Sequence, residues 1–165
     1  MLGKLKKHKE IIFILTAAFI IRLAFSQSGT YVNDYNTFIS WSRSLAEYGT
    51  KNFYNNWSDY LPGYLYVLLL LGKIAAWIPI SNVILYKLPA IFGDLGVGFL
   101  IYKILSPRVK KHLALVATLA YLMNPAVISN STLWGQIDGL TALFSLLSIY
   151  LFPSHLFISA FSLGF

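Results

Sequence analysis

Two aspartates stand in sequence contexts that favour chemistry. Asp34 lies in "VNDYNTFISW", at the start of a segment in which aromatic residues recur every three or four positions. Asp138 ends the motif "WGQID", which separates two long apolar runs. A carboxylate at the rim of a membrane-embedded cavity is costly to place, so such an acid is by default a candidate for function. A structural interpretation stays open, in which each carboxylate only stabilises the first turn of a helix.

Among the other acids, one stands inside an apolar run. Asp94 lies in "KLPAIFGDLGVGF", where we expect a structural ion pair with Lys87, two helical turns earlier, or with Arg22. The alternative is that Arg22, Lys87 or Arg43 binds a phosphate. Asp59 is placed to cap a helix that begins in "YLPGY".

The composition is that of a membrane protein. The chain has 165 residues, of which 57% are hydrophobic and 12% charged, whereas soluble domains carry about 25% charged residues. The net charge of +7 comes from basic clusters beside apolar runs, "KLKKHK" and "SPRVKKH", and this pattern predicts orientation in a membrane rather than nucleic-acid binding. The absence of cysteine excludes thiol chemistry and cysteine-ligated zinc.

Apolar stretches of about the length of a membrane span set the predicted fold. They cover residues 10–27, 62–79, 85–105, 113–131 and 139–153, and another begins at Leu156. Both basic clusters lie on the cytoplasmic side, as the positive-inside rule requires, only if one of the apolar stretches does not cross the membrane. The stretch 62–79 is short and opens with Pro-Gly, so we predict a re-entrant or interfacial helix there. The others then form an all-α, polytopic transmembrane bundle, a single membrane domain over residues 1–165 with a cytoplasmic N-terminus and an outer region at 28–84.

The outer region contains an amphipathic helix, "NDYNTFISWSRSLAEYGT". Asn33 is placed to cap its start and Gly49 to end it. Its aromatic face predicts a helix that lies along the membrane surface. That face holds Asp34, Phe38, Trp41, Leu45 and Tyr48. The predicted topology puts this helix and "WGQID" on the same outer side of the membrane.

These segments together resemble the polytopic glycosyltransferases of the C superfamily. They are, in order, "NDYNTFISW", "DYLPGYLY", "KLPAIFGDL" and "YLMNPAVISNSTLWGQID". Within that superfamily the chain looks most like mannosyltransferases related to the glycosylphosphatidylinositol second mannosyltransferase, in which a WGQxD motif follows an NP-containing span. The resemblance covers nearly the whole chain, and "WGQID" is its most specific part. Such enzymes are usually more than twice as long, so we expect an N-terminal fragment of a protein that continues past Phe165.

The resemblance implies that the protein transfers a sugar, with inversion, from a polyprenyl-phosphate-linked donor to a hydroxyl of a glycan or lipid acceptor. The reaction would occur at the outer or lumenal face of a bacterial plasma membrane or an endoplasmic reticulum. Asp34 would be the general base. Gln136 and Asp138 would hydrogen-bond sugar hydroxyls, and Trp134 would stack on a sugar ring.

The leaving lipid phosphate needs positive charge rather than a general acid. Arg22, Arg43 and Lys87 are the candidates that the sequence offers. Among similar enzymes, those that use phosphate-linked monosaccharides generally look metal-independent, whereas oligosaccharyltransferases use a divalent ion. A single acid in "WGQID", in place of a D-x-D pair, favours a reaction without a metal or another cofactor.

Two other functions stay open. The chain could be a transporter- or flippase-like protein in which Asp94 and Arg22 form a coupled intramembrane pair. It could also be a non-catalytic membrane subunit. The long, aromatic-rich outer region and the absence of an internal repeat favour the enzyme.

Overall fold

The computed structural model describes residues 8–51, 53–55 and 58–164. The chain is 79% helical, and no β-strand occurs in these ranges, which confirms the all-α prediction. Most of the basic cluster "KLKKHK" lies outside the described residues. The helices are α1 (Lys9–Ser26), α2 (Val32–Tyr48), α3 (Pro62–Trp77), α4 (Asn82–Leu105), α5 (Lys111–Leu122), α6 (Pro125–Ile128), α7 (Asp138–Leu151) and α8 (Leu156–Leu163), with a 3-10 turn at Phe53–Asn55 and a π-helix at Ser129–Trp134.

In the described part of the chain, α4 is the helix that is long and apolar enough to cross a membrane. Its 24 residues correspond to about 36 Å. A second span results only if α5 and the segment from Pro125 to Trp134, which are bent by 49° relative to each other, count as one crossing. Helices α3 and α7 are apolar but shorter, and α1 carries Lys9, Glu10 and Arg22. The multi-pass arrangement therefore stays a prediction.

The predicted span 113–131 is not one continuous helix. Helix α5 ends at Leu122, and the chain turns at Asn124 before α6 begins at Pro125. A residue before proline is biased toward extended backbone, and Asn124 has φ −63° and ψ 123°. Its side-chain oxygen accepts a hydrogen bond from the amide of Ala126 at 2.9 Å. The sequence "MNPAV" thus breaks the span and starts a new helix with a side-chain cap.

Helix α2 is amphipathic, as predicted, but it begins two residues earlier than expected. Tyr31 occupies the position before the helix and makes no capping hydrogen bond with its side chain, so the prediction that Asn33 caps α2 was wrong. The helix ends at Gly49, whose φ of 74° is one that glycine adopts without steric cost.

The apolar face of α2 contacts protein rather than a membrane surface. Phe38, Trp41 and Leu45 are buried and belong to one cluster with Tyr64 and Leu68 of α3. Because α3 supplies an apolar partner, the face predicted to lie on lipid is covered. Tyr48, the last member of that face, is 74% exposed.

Helix α3 begins without a carboxylate cap. Leu61 occupies the capping position and makes no side-chain capping bond, whereas Asp59 is exposed. The capping role predicted for Asp59 was therefore wrong. The reason is local, because Pro62 at the first helical position has no N–H group to satisfy.

Helix α4 is the centre of the fold, since it packs against α1, α5 and α7. Its backbone approaches that of α7 very closely. A Cβ atom built on Gly93 would lie 2.4 Å from the backbone nitrogen of Leu140, and one on Gly139 would lie 2.4 Å from Oδ1 of Asp94. These two glycines allow the first turn of α7, and with it Asp138, to lie beside Asp94.

Candidate functional site

The carboxylate of Asp34 is held by two side chains of the "WGQID" motif. Trp134 donates from Nε1 to Oδ2 of Asp34 at 2.8 Å. Gln136 donates from Nε2 to the same oxygen. Asp34 is half-buried, in the first turn of α2. The structure thus brings together the two motifs in which the sequence placed its candidate chemistry.

A local turn positions the two donors. The π-helix ends at Gly135, which has a φ of 89° in the left-handed region. The amides of Gly135 and Gln136 both donate to the carbonyl oxygen of Asn130, at 2.9 and 3.1 Å. Single π-helical turns recur at functional sites. Here the turn holds the side chains of Trp134 and Gln136 on the side of α2.

Tyr60 belongs to the same network, although the sequence did not identify it as a site residue. Its hydroxyl donates to Oε1 of Gln136 at 3.1 Å. This bond assigns the amide of Gln136, with its oxygen toward Tyr60 and its nitrogen toward Asp34. Burial, together with the charges of Asp59, Asp34 and Asp138, raises the pKa of Tyr60 to about 12. The hydroxyl therefore stays protonated at neutral pH and can donate.

The ring of Tyr60 is fixed by aromatic neighbours. Its centroid lies 5.6 Å from that of Phe38, 5.7 Å from that of Trp41 and 5.5 Å from that of Tyr64. Tyr60 stands in "DYLPGYLY", which contributed to the family resemblance as a segment only. An aromatic residue between an acid and the start of a helix has the same sequence pattern whether it packs in the core or supports a functional site.

Replacing Tyr60 with phenylalanine is expected to lower the free energy of unfolding by about 1 kcal/mol, since the half-buried bond to Gln136 is lost. It should also speed hydrogen exchange of the Gln136 side-chain amide, which NMR spectroscopy of the full chain in micelles can record. The control is Tyr66→Phe, because Tyr66 is 61% exposed. Unchanged exchange in Tyr60→Phe would show that the tyrosine does not hold the amide.

Asp138 is the first residue of α7 and is exposed. Its Oδ2 accepts a hydrogen bond from Nδ2 of Asn130 at 2.9 Å. Ile137, rather than Asp138, occupies the capping position, so the side chain acts on the positive end of α7 by charge and not as a cap. Asp138 lines a cleft of about 260 Å³ with Asp94, Tyr121 and Asn130.

Arg22 forms a buried ion pair. Its Nε lies 3.1 Å from Oδ2 of Asp94, and the two residues are 0% and 2% exposed. The guanidinium also donates to the carbonyl oxygens of Leu122, at 2.9 Å, and Ala18, at 3.4 Å. The pair therefore joins α1, α4 and the end of α5. Each guanidinium nitrogen has an acceptor within the protein, so this arrangement favours the structural ion pair over phosphate binding.

Lys87 is buried without a carboxylate bonded to it among the described residues. Its Nζ donates to three backbone carbonyl oxygens, those of Ser26 at 2.7 Å, Thr132 at 2.6 Å and Gly29. These three bonds use all the N–H groups of the ammonium. Lys87 thus ties the end of α1 and the segment before α2 to the π-helix. It does not pair with Asp94, and phosphate binding would require it to give up one of these bonds.

Arg43 is the exposed member of the three candidate cations. It lies on α2, nine residues after Asp34, which corresponds to about 13 Å along the helix axis. The structure therefore brings Trp134 and Gln136 to Asp34, and among the described residues none of the three cations forms an ion pair with it.

Within residues 8–51, 53–55 and 58–164, no three histidine, aspartate or glutamate side chains lie close enough to hold a metal ion. A reaction without metal or cofactor stays a prediction. Comparison with known proteins adds no family assignment, because no protein-family model, curated protein or solved structure matches the chain.

Proposed function

We propose that the chain is a membrane glycosyltransferase of the mannosyltransferase type. It would transfer a sugar from a polyprenyl-phosphate-linked donor to the hydroxyl of a glycan or lipid acceptor, with inversion, at the outer or lumenal face. The observation that carries the proposal is the pair of hydrogen bonds from Trp134 and Gln136 to Asp34. It joins the two motifs on which the resemblance to this enzyme class rests.

The hydrogen bonds leave one carboxylate oxygen for chemistry. Oδ2 of Asp34 accepts both donors, whereas Oδ1 accepts no hydrogen bond from the described residues. In the proposed reaction, Oδ1 takes the proton of the acceptor hydroxyl. The acceptor oxygen forms a bond to the anomeric carbon opposite the phosphate. The bond from that carbon to the phosphate oxygen breaks, and its electron pair leaves with the lipid phosphate.

The other side chains have distinct parts in this proposal. Trp134 and Gln136 orient the carboxylate, and their remaining polar and ring surface contacts the sugar. Asp138 accepts hydrogen bonds from sugar hydroxyls at the exposed end of α7. Arg43 stays the candidate for the leaving phosphate, since each side-chain nitrogen of Arg22 and Lys87 already has an acceptor within the protein.

A labelling experiment tests which side of the membrane carries the site. The chain has no cysteine, so single cysteines can be placed at exposed positions as Ser28→Cys, Ser129→Cys and Val109→Cys. An impermeant thiol reagent on intact cells is expected to label the first two and not the third, because Val109 lies in the basic loop predicted to be inside. Permeabilised cells, in which all three label, are the control.

Two outcomes of the labelling would contradict the proposal. Different labelling of Ser28→Cys and Ser129→Cys would separate Asp34 from "WGQID". Protection of both together with labelling of Val109→Cys would put the site on the cytoplasmic side, away from an outer lipid-linked donor.

A transporter- or flippase-like function would use the buried pair of Arg22 and Asp94. That pair is anchored by the carbonyl oxygens of Leu122 and Ala18. An arginine fixed by backbone acceptors supports a static role rather than one that alternates between partners. We therefore keep the enzyme as the proposed function.

A further inference from the structure

An open groove lies beside the Asp34 network. It has a volume of about 480 Å³ and is lined by Thr30, Tyr31, Ser129, Asn130 and Trp134, among others. No charged residue is among the described residues that line it. Specific small-molecule sites have volumes of about 300–1,000 Å³ and combine apolar walls with few polar groups. The groove is thus large enough for one sugar ring.

An aromatic pair forms one wall of the groove. The ring centroids of Tyr31 and Trp134 lie 5.1 Å apart, with the planes tilted by 48°. The two residues are 48% and 46% exposed, so ring surface is accessible to a ligand. Aromatic rings with a polar edge suit ligands that are apolar on one face and polar at the rim. A sugar ring has this character, with C–H groups on its faces and hydroxyls around its edge.

The polar groups of the groove are hydroxyls and an amide. Oγ1 of Thr30 is buried and has no hydrogen-bond partner among the described residues. A buried hydroxyl without a partner is unusual, and rotation of the Thr30 side chain toward a ligand hydroxyl would recover the lost bond. Asn130 donates through Nδ2 to Asp138, which leaves its side-chain oxygen to accept. These groups can both donate and accept, as sugar hydroxyls require.

We propose that this groove binds the ring of a neutral sugar, which contacts Tyr31 and Trp134 with one face and hydrogen-bonds Thr30, Ser129 and Asn130. A phosphate is a poor ligand here, since no cation among the described residues lines the groove. A plain isoprenoid chain would leave the hydroxyl of Thr30 without a partner. This inference rests on the proposed function, which is the reason to expect a sugar as the ligand. The sugar is that of either the donor or the acceptor.

Saturation-transfer NMR of the full chain in micelles tests binding without any transfer reaction. The probes are methyl α-mannopyranoside, geranyl phosphate without a sugar, and geranyl-phosphate-linked mannose. The expected result is saturable binding of the mannoside. Tyr31→Leu should weaken it about 10-fold, because the aromatic contact is lost. Thr30→Val should weaken it about 3- to 10-fold, through the loss of one hydrogen bond.

The controls separate the groove from general effects on the fold. Tyr31→Phe should bind as the unchanged chain does, since the ring is kept. Tyr48→Leu should also bind normally, because Tyr48 is exposed at the other end of α2. If geranyl-phosphate-linked mannose binds more tightly than the mannoside and depends on Tyr31, the sugar is that of the donor. Equal binding of both would assign the groove to the acceptor.

Several results would overturn the inference. The first is that the mannoside does not bind. The second is that it binds, but Tyr31→Leu and Thr30→Val leave its affinity unchanged. The third is that geranyl phosphate binds with the same dependence on Tyr31. Mannoside binding requires no transfer reaction, so it is measured independently of the general base. Sugar binding without any transfer activity would therefore contradict the proposed enzymatic function but support the groove as a sugar-binding site.

Discussion

Asp34→Asn is expected to lower sugar transfer by about 100- to 10,000-fold, the range in which a general base contributes. Asparagine has nearly the shape of aspartate, and its side-chain oxygen can still accept the bonds from Trp134 and Gln136. Its amide nitrogen cannot take a proton from an acceptor hydroxyl. The loss should therefore fall on the reaction rate and leave the thermal unfolding of the chain nearly unchanged.

Transfer can be measured in membranes that contain the chain, with polyprenyl-phosphate mannose as donor and mass spectrometry of the product. Glu47→Gln is the matched control, since it removes one carboxylate from the same helix at an exposed position. That variant should transfer at the normal rate. A rate for Asp34→Asn within about twofold of the unchanged chain would exclude a general base, because even the lower limit for such a group is far greater.

The second large effect concerns the buried ion pair. Arg22→Met should lower the free energy of unfolding by about 3–5 kcal/mol, because it leaves Asp94 as a buried carboxylate without a compensating charge. The carbonyl oxygen of Leu122 also loses its donor. The double variant Arg22→Met with Asp94→Leu should recover most of this stability, since apolar side chains often replace a buried pair at little cost. Unfolding in micelles by denaturant measures both.

The exposed pair of Lys111 and Glu10 is the control for this cycle. Its atoms lie 2.8 Å apart, with about half of each side chain exposed to solvent, so Lys111→Met should leave stability unchanged within error. A double variant as unstable as Arg22→Met alone would mean that packing, not charge, accounts for the loss. A stable double variant that keeps sugar transfer would rule out the transporter-like role of the pair.

The course of the helices followed largely from hydropathy and turn residues. The apolar stretch 10–27 corresponds to α1, 85–105 to α4 and 139–153 to α7, and the amphipathic pattern gave α2 and its end at Gly49. The sequence analysis did not predict the break in the span 113–131, although the segment "MNPAV" contains the proline that causes it. One continuous span was predicted from the length of the apolar run, because hydropathy carries no information about a change in helix direction.

The site was harder to predict than the fold. Asp34 and "WGQID" could be identified from the sequence because a carboxylate beside an apolar membrane segment is costly and is therefore a candidate for function. Tyr60 did not, because its hydroxyl contacts a side chain 76 residues later. The sequence pairs Lys87 with a carboxylate or a phosphate, whereas its hydrogen bonds to the described residues all go to backbone oxygens. Backbone acceptors are present at every residue, so no pattern of residue types can reveal such a contact.

The three bonds of Lys87 have a consequence for how the chain can vary. The acceptors are main-chain oxygens at positions 26, 29 and 132, which every amino acid provides. Those positions can therefore change identity without loss of the contact, whereas position 87 needs a long side chain that ends in several N–H donors. Mutational tolerance should therefore differ among the four positions: lysine is required at position 87, the exposed position 29 accepts many residues, and positions 26 and 132, whose side chains are completely buried, accept only small ones.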